Sequence, residues 1–344
     1  MSHVFPPRKL LLPLVPIYQL GSWLRAKQFS RGRGSSLRLR FPVISIGNLS
    51  TGGAGKTPLT IALAKALTRC GFQVDVLSRG YGRRSPIPAR VRPNGSADDF
   101  GDEPILIAQQ AGVPVFVGAR RYDAGLLSES DHGVETGALA QAPKPRIHLL
   151  DDGFQHRQLH RDVDILLLDR QDWEGGLLPA GNLREPVKAA LRATVIAIPG
   201  EDEDLAEELS RWGWHGPVWR LLRKMKSPVV NGPVAAFCGI ARPDQFFAGL
   251  ESCGLQLAAR MAFADHHRYT AKDIERLSRA AAASSATALV TTEKDMIRIG
   301  LLAATVPASL PLKTASLRVV IDAENQAIQT LVGLVRLENL RPVL

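Results

Sequence analysis

The sequence predicts an α/β fold: a mostly parallel sheet flanked by helices, joined to a smaller second α/β lobe and preceded by a helix of different character. Three observations lead there. From residue 41 onward, short β-branched runs alternate with helical stretches, the pattern of strands in a helix-covered sheet. A glycine-rich turn ending in Gly55-Lys56-Thr57 separates the first such run from the first such helix. The 344 residues suffice for two domains of ordinary size.

Composition narrows the class. Apolar residues at 45% and charged residues at 22% argue against disorder, collagen and coiled coil. The net charge of +10 is unevenly placed: Arg8, Lys9, Arg25, Lys27, Arg31, Arg33, Arg38 and Arg40 precede the first acid, Asp75. Residues 1–40 therefore read as a basic, apolar arm, with Leu10, Leu12, Ile17, Leu20 and Trp23 between the charges and a helix expected from Pro16 to about Phe29. Leu10 to Leu24 is too short to span a bilayer, which needs roughly 20 apolar residues. Its makeup suits an interfacial anchor on anionic lipid or a helix docked on the protein's own core. Three scattered cysteines, Cys70, Cys238 and Cys253, form neither a disulfide framework nor a zinc ribbon and fit a reducing cytosol.

Beyond the arm, strands are expected at Val43–Ile46, Val74–Leu77, Val115–Val117, Ile147–Leu150, Ile165–Leu168 and Val195–Ile198, with helices at Leu59–Leu67 and Ile105–Gln110. Residues 85–100 and 128–146 read as loops. A boundary is expected at 205–230, where acidic residues and Trp212, Trp214 and Trp219 interrupt the periodicity. The domains are thus 1–40, 41–215 and 216–344. The last should hold strands at Val234–Phe237 and Leu289–Thr291 and helices near Asp244–Cys253 and Lys272–Ala283.

Four constellations carry chemistry. Ser50-Thr51-Gly52-Gly53-Ala54-Gly55-Lys56-Thr57 lies between strand and helix, as a phosphate-binding loop requires: backbone N–H groups face phosphate oxygens, Lys56 reaches the β/γ-phosphates, and the Thr57 hydroxyl ligates Mg²⁺. Ser50 stands where such loops usually begin with glycine. Asp151 and Asp152 follow a buried strand, where ligands bind in open α/β sheets. They can hold Mg²⁺ or cap a turn, and Gln155 and His156 beside them are candidate polar contacts. Asp102 and Glu103 open a helix, as a catalytic base or metal ligand or as a cap. Asp265-His266-His267 offers an acid–base pair or a surface turn. Arg79, Arg83, Arg120 and Arg121 are further candidate phosphate contacts. Thr292-Glu293-Lys294-Asp295 lacks the Lys-x-Asp spacing of a guanine-specificity loop.

Together with Ser78-Arg79-Gly80-Tyr81-Gly82, Leu178-Pro179-Ala180-Gly181 and Leu183-Arg184-Glu185-Pro186, these segments occur in an order that resembles the tetraacyldisaccharide 4′-kinase family of lipid A biosynthesis, across about residues 40–300. The resemblance implies a P-loop fold and transfer of the ATP γ-phosphate to the 4′-hydroxyl of an acylated glucosamine disaccharide 1-phosphate. It also implies Mg²⁺ dependence and a peripheral place on the cytoplasmic face of the Gram-negative inner membrane. It gives Asp102 as general base with His266 as partner, keeps Lys56 and Thr57 in their loop roles, and makes Glu103, Asp151 and Asp152 metal or active-site carboxylates. Gln155, His156, Arg184 and Glu185 follow as substrate contacts.

Three other classes fit less well. A switch GTPase wants Asn-Lys-x-Asp. A membrane adaptor leaves the ordered carboxylates without purpose. A nucleic-acid-binding ATPase accounts for the basic arm, but residues 41–344 are nearly neutral and the arm holds no recognised nucleic-acid module, so no nucleic-acid partner is expected.

Overall fold

A computed structural model describes residues 8–30, 36–53, 55–131 and 144–339. Ala54 and the basic residues Arg31 and Arg33 lie outside them. A 3₁₀ segment at Arg8–Leu14 leads into α1 (Val15–Ser30), which leaves Leu10, Leu12, Ile17 and Leu20 more than half exposed. The elements that follow are β1 (Val43–Asn48), α2 (Lys56–Arg69), β2 (Gln73–Ser78), β3 (Ala89–Arg90), α3 (Ala97–Phe100), α4 (Asp102–Ala111), β4 (Val115–Val117) and α5 (Arg121–Asp131). Next come β5 (Arg146–Asp151), β6 (Val163–Leu167), α6 (Arg170–Trp173), β7 (Val195–Pro199), α7 (Glu203–Arg211) and β8 (Val218–Lys226). The chain ends with β9 (Val234–Cys238), α8 (Pro243–Ser252), β10 (Leu257–Ala262), α9 (Ala271–Ala283), β11 (Ala288–Thr292), α10 (Glu293–Ile299), β12 (Leu312–Ile321) and α11 (Glu324–Asn339).

These strands make one 12-stranded sheet in the order β10-β9-β11-β12-β8-β7-β6-β1-β5-β2-β4-β3. Its pairs are parallel except β12 with β8 and β3 with β4. The β-branched strands are buried on both faces, as parallel sheets require. Ile165 and Leu167 join the core beneath α2, whereas Leu166 and Leu168 pack on the opposite side with Ile196 and Ile198. The α2 helix buries Leu59, Leu63 and Leu67, a four-residue spacing that keeps all three on one face.

The sequence reading is too sparse in places. The stretch 205–230 is not an interruption: α7 buries Leu205 and Leu209 one turn apart among acids, and β8 carries buried Trp219 into the sheet. The loop at 85–100 contains β3 and α3, and α5 continues to Asp131 before residues outside the described set.

A buried polar cluster fastens the chain just after the arm. Arg146 donates to Asp75 at 2.9 Å, and His148 Nδ1 lies 2.6 Å from the other Asp75 oxygen. His148 Nε2 faces Glu129, whose Oε1 accepts from the backbone N–H of Arg40 at 2.8 Å. Burial alone would lower the His148 pKa, but its bonds to Asp75 and Glu129 outweigh that and raise it. A raised folded-state pKa contributes stability that is complete below the unfolded value of about 6.5 and is lost as pH rises through the folded value. Urea unfolding at a series of pH values should show this loss for the wild type and a flatter curve for His148→Gln. Each tenfold difference in proton affinity between the folded and unfolded chains corresponds to about 1.4 kcal/mol of stability.

Candidate active site

The first functional segment leaves the C-terminal end of β1. Ser50 is buried, accepts from Asn48 Nδ2 at 2.9 Å and forms a bridge with Leu183. It is not among the residues with positive φ, so the loop needs no glycine there. Gly52 and Gly55 do need to be glycine: their φ values are +117° and +91°, and Gly55 caps α2. A Cβ on Gly47 would meet Phe154 Cβ at 2.6 Å, so the loop and the Asp151–Phe154 turn pack backbone to backbone. Lys56 folds back over the loop. Its Nζ donates to Asn48 Oδ1 at 2.8 Å and lies 3.5 Å from Asp152.

Neighbouring β5 delivers the acidic pair. Asp151 is buried and accepts from the hydroxyls of Thr60 and Ser78 at 3.3 and 3.4 Å. Burial, then the charges of Glu103 and Asp152, push its pKa up to about 7. Asp152 takes a left-handed φ of +50° and pairs with Arg184 at 3.1 Å. Burial would raise it, but Lys56 and Arg184 hold it below the usual carboxylate range.

The third and fourth segments meet across the sheet. Asp102 and Glu103 occupy the first turn of α4, whose cap is Gly101. Both carboxylates reach α10: Lys294 Nζ donates to Glu103 at 2.5 Å and Arg298 Nε to Asp102 Oδ2 at 2.6 Å. His266 Nδ1 lies 3.2 Å from the same Asp102 oxygen, with its ring centroid 5.0 Å from that of Tyr81. Burial opposes ionisation of Asp102, yet His266, Arg298 and Lys294 keep it far below the ordinary carboxylate value. The bond to Asp102 raises the His266 pKa against the effect of burial. His267 turns away to Asp273 at 3.2 Å.

One open cleft of ≈ 510 Å³ collects much of this chemistry: Thr51, Gly52, Gly53, Gly55, Lys56, Thr57, Glu103, Asp151, Asp152, Arg184 and His266 all line it. Asp102 sits behind His266, and Ser50 lies beneath the loop. Gln155 is spent on Asn48 O at 2.9 Å and on Arg184. The half-buried His156 imidazole is pushed down to about 3 by burial and nearby arginines. Glu185 pairs with Arg192 and Arg157, away from the cleft. Sequence reasoning missed Lys294 and Arg298. It counted the Thr292–Asp295 segment toward the family resemblance and against a guanine-specificity loop but gave it no role in the site, whereas Thr292 is the cap of α10 and sets both cations against the carboxylates of α4. A second cleft of ≈ 540 Å³ adjoins the loop at Gly53, Gly55 and Pro58 and is lined by Leu106, Met225, Ile240 and Phe246.

The oxygen donors fit magnesium. Among the described residues no three carboxylates, imidazoles or thiols converge to chelate a metal alone. Mg²⁺ characteristically takes one or two carboxylates and completes its shell with waters and phosphates. Asp151 is raised by burial and by two other acids despite Lys56 and Lys294, an environment that a divalent cation would relieve.

Comparisons with known proteins agree with this geometry. The family model for Tetraacyldisaccharide-1-P 4′-kinase matches residues 7–335. A tetraacyldisaccharide 4′-kinase of Koribacter versatilis is 42% identical over 299 residues, covering 84% of this chain and 88% of its own. One from Syntrophus aciditrophicus is 36% identical over 328 residues, with 85% of each covered. The "apo" form of LpxK from Aquifex aeolicus in complex with ATP superposes with a TM-score of 0.71 at 29% identity, over 95% of this chain and 99% of that one. A match that runs nearly end to end takes in the loop, the acidic pair and both partners of the Asp102–His266 contact, and on that footing the chain belongs to the tetraacyldisaccharide-1-P 4′-kinase family.

Proposed function

We propose that this protein is an ATP-dependent kinase that phosphorylates the 4′-hydroxyl of tetraacyldisaccharide 1-phosphate in lipid A biosynthesis. The observation that carries this is the opening of the phosphate loop and of His266, backed by Asp102, into one cleft. Phosphoryl transfer is mainly positioning and charge neutralisation. The loop amides and Lys56 hold the ATP phosphates, and the apolar second cleft suits the nucleoside. Thr57, Asp151, Asp152 and Glu103 are the residues that would hold Mg²⁺, which when bound offsets phosphate charge. His266 faces the acceptor and takes the hydroxyl proton, and Asp102, which its partners keep anionic, orients the imidazole and stabilises the imidazolium that forms. Arg184 borders the acceptor side, and Gln155, His156 and Glu185 support that wall from behind. The kinase core is assigned to 41–215, and the lobe 216–344 brings Asp265, His266 and Lys294 to the cleft.

The acceptor's acyl chains belong in a bilayer, and α1 supplies an exposed apolar surface beside the site: the Tyr18 hydroxyl donates to the backbone carbonyl of Arg184 at 3.1 Å. No helix among the described residues is long and apolar enough to cross a membrane. We assign the arm to the anionic surface of the cytoplasmic face of the inner membrane.

Purified protein should transfer ³²P from [γ-³²P]ATP to a tetraacyl disaccharide 1-phosphate in mixed micelles, and chelation of Mg²⁺ should abolish transfer. Absence of transfer with Mg²⁺ present would reject the assignment. Because only a neutral imidazole accepts a proton, kcat should climb as pH rises through the raised His266 pKa. His266→Gln should lower kcat roughly 10²-fold and remove that limb of the profile. In flotation with anionic liposomes, a chain lacking residues 1–30 should stay at the bottom of the gradient while full-length protein floats. Equal flotation would remove the arm from the scheme.

A further inference from the structure

The Arg298 side chain is nearly fully buried and bears on both halves of the acid–base pair, on Asp102 directly and on His266 through the Gly239 carbonyl. Its Nε donates to Asp102 Oδ2 at 2.6 Å, and its Nη1 donates to the carbonyl of Gly239 at 2.6 Å. That same carbonyl accepts the backbone N–H of His266 at 3.1 Å. His266 has a left-handed φ of +56°, a conformation that costs a β-carbon residue free energy and persists only where surrounding bonds hold it. From the far side Arg298 Nη1 is braced by Asp295 Oδ1 at 3.0 Å, which also accepts from the Tyr269 hydroxyl and from the N–H of Gly239. A Cβ at Gly239 would crowd Ala264 O at 3.0 Å and Asp295 Oδ1 at 3.2 Å, so the carbonyl's place leaves little freedom.

We propose that Arg298 is a positioning residue for phosphoryl transfer: its guanidinium fixes the Asp102 carboxylate and, through the Gly239 carbonyl, the His266 backbone, so that the two form one unit facing the acceptor hydroxyl. This rests on the kinase reading given above. Arg298 does not line the cleft, so it is set back from where ATP and acceptor would bind. Its influence passes through Asp102 and His266 and should appear in kcat alone. A planar fork that bonds two acceptors at once has no equivalent in lysine, whose ammonium offers a point charge on a flexible stem.

The test is a double-mutant cycle on the full-length protein, reading kcat, the KM for ATP and the KM for the tetraacyl acceptor. Arg298→Ala should lower kcat about 10–100-fold, the range expected when a reacting group is misplaced by about 1 Å, with both KM values within about twofold of wild type. In the Asp102→Ala background the same change should cost less than about threefold, because the group it positions is gone. Arg298→Lys carries the test if Arg298→Ala does not fold, and should keep wild-type KM values with a reduced kcat. Additive losses in the cycle, a loss confined to KM, or a lysine variant at full kcat would each overturn the proposal. Wild-type protein that labels no acceptor would overturn the kinase reading and this inference together, an outcome distinct from an active wild type with an additive cycle.

Discussion

Three carboxylates line one cleft with a fourth buried just behind it, and the arrangement stands because cations reach each side of it. Asp102, Glu103, Asp151 and Asp152 come from two places in the chain, and like charges so close would otherwise force protons onto them. Arg298 and Lys294 answer the first pair, Arg184 and Lys56 the Asp152 side. Asp151 is pushed toward neutrality, first by burial and then by the charges of Glu103 and Asp152, which Lys56 and Lys294 only partly offset. Of these pairs Asp102–Arg298 is buried on both sides, and removing one partner of a buried pair leaves a charge stranded at a cost of about 3–5 kcal/mol, so that pair bears on folding as well as on the site.

That balance also explains what could be read from the sequence. The phosphate loop is legible because it is local: its strand, glycines, lysine and helix are consecutive. Asp151 is legible because a strand end predicts where its side chain goes. Lys294 and Arg298 are not, because their partners lie 191 and 196 residues away and the acids beside Lys294 in the chain, Glu293 and Asp295, are not the ones it pairs with across the cleft. Asp102 followed the resemblance, since on spacing alone a helix-opening Asp reads equally as a cap. In the structure it opens α4, while its carboxylate is claimed by Arg298 and His266.

The missed elements share a cause. In β12, Leu312 to Ile321 includes Lys313, Thr314, Ser316 and Arg318, and its burial alternates weakly. In α7, two buried leucines are spread among five acids and one arginine across the helix and its cap. Both are half-exposed and carry too few apolar residues for periodicity to show. Tertiary pairing decides them: β12 against β8 by an antiparallel ladder from Ser316 to Ile321, α7 by the core around Leu166 and Ile198.

The antiparallel step between β8 and β12 has a geometric consequence. It reverses the sense of the strands, so the segments that follow β10 and β11 would, in a flat sheet, emerge on the edge opposite those that follow β1 and β5. Yet His266 and Lys294 line the same cleft as Lys56 and Asp151. Neighbouring strands rotate by roughly 20–25° each, and five such steps separate β1 from β11, a turn of roughly 100–125°. The handed coiling of a protein sheet, ordinarily a by-product of chirality, is here what swings one set of strand ends round to confront the other.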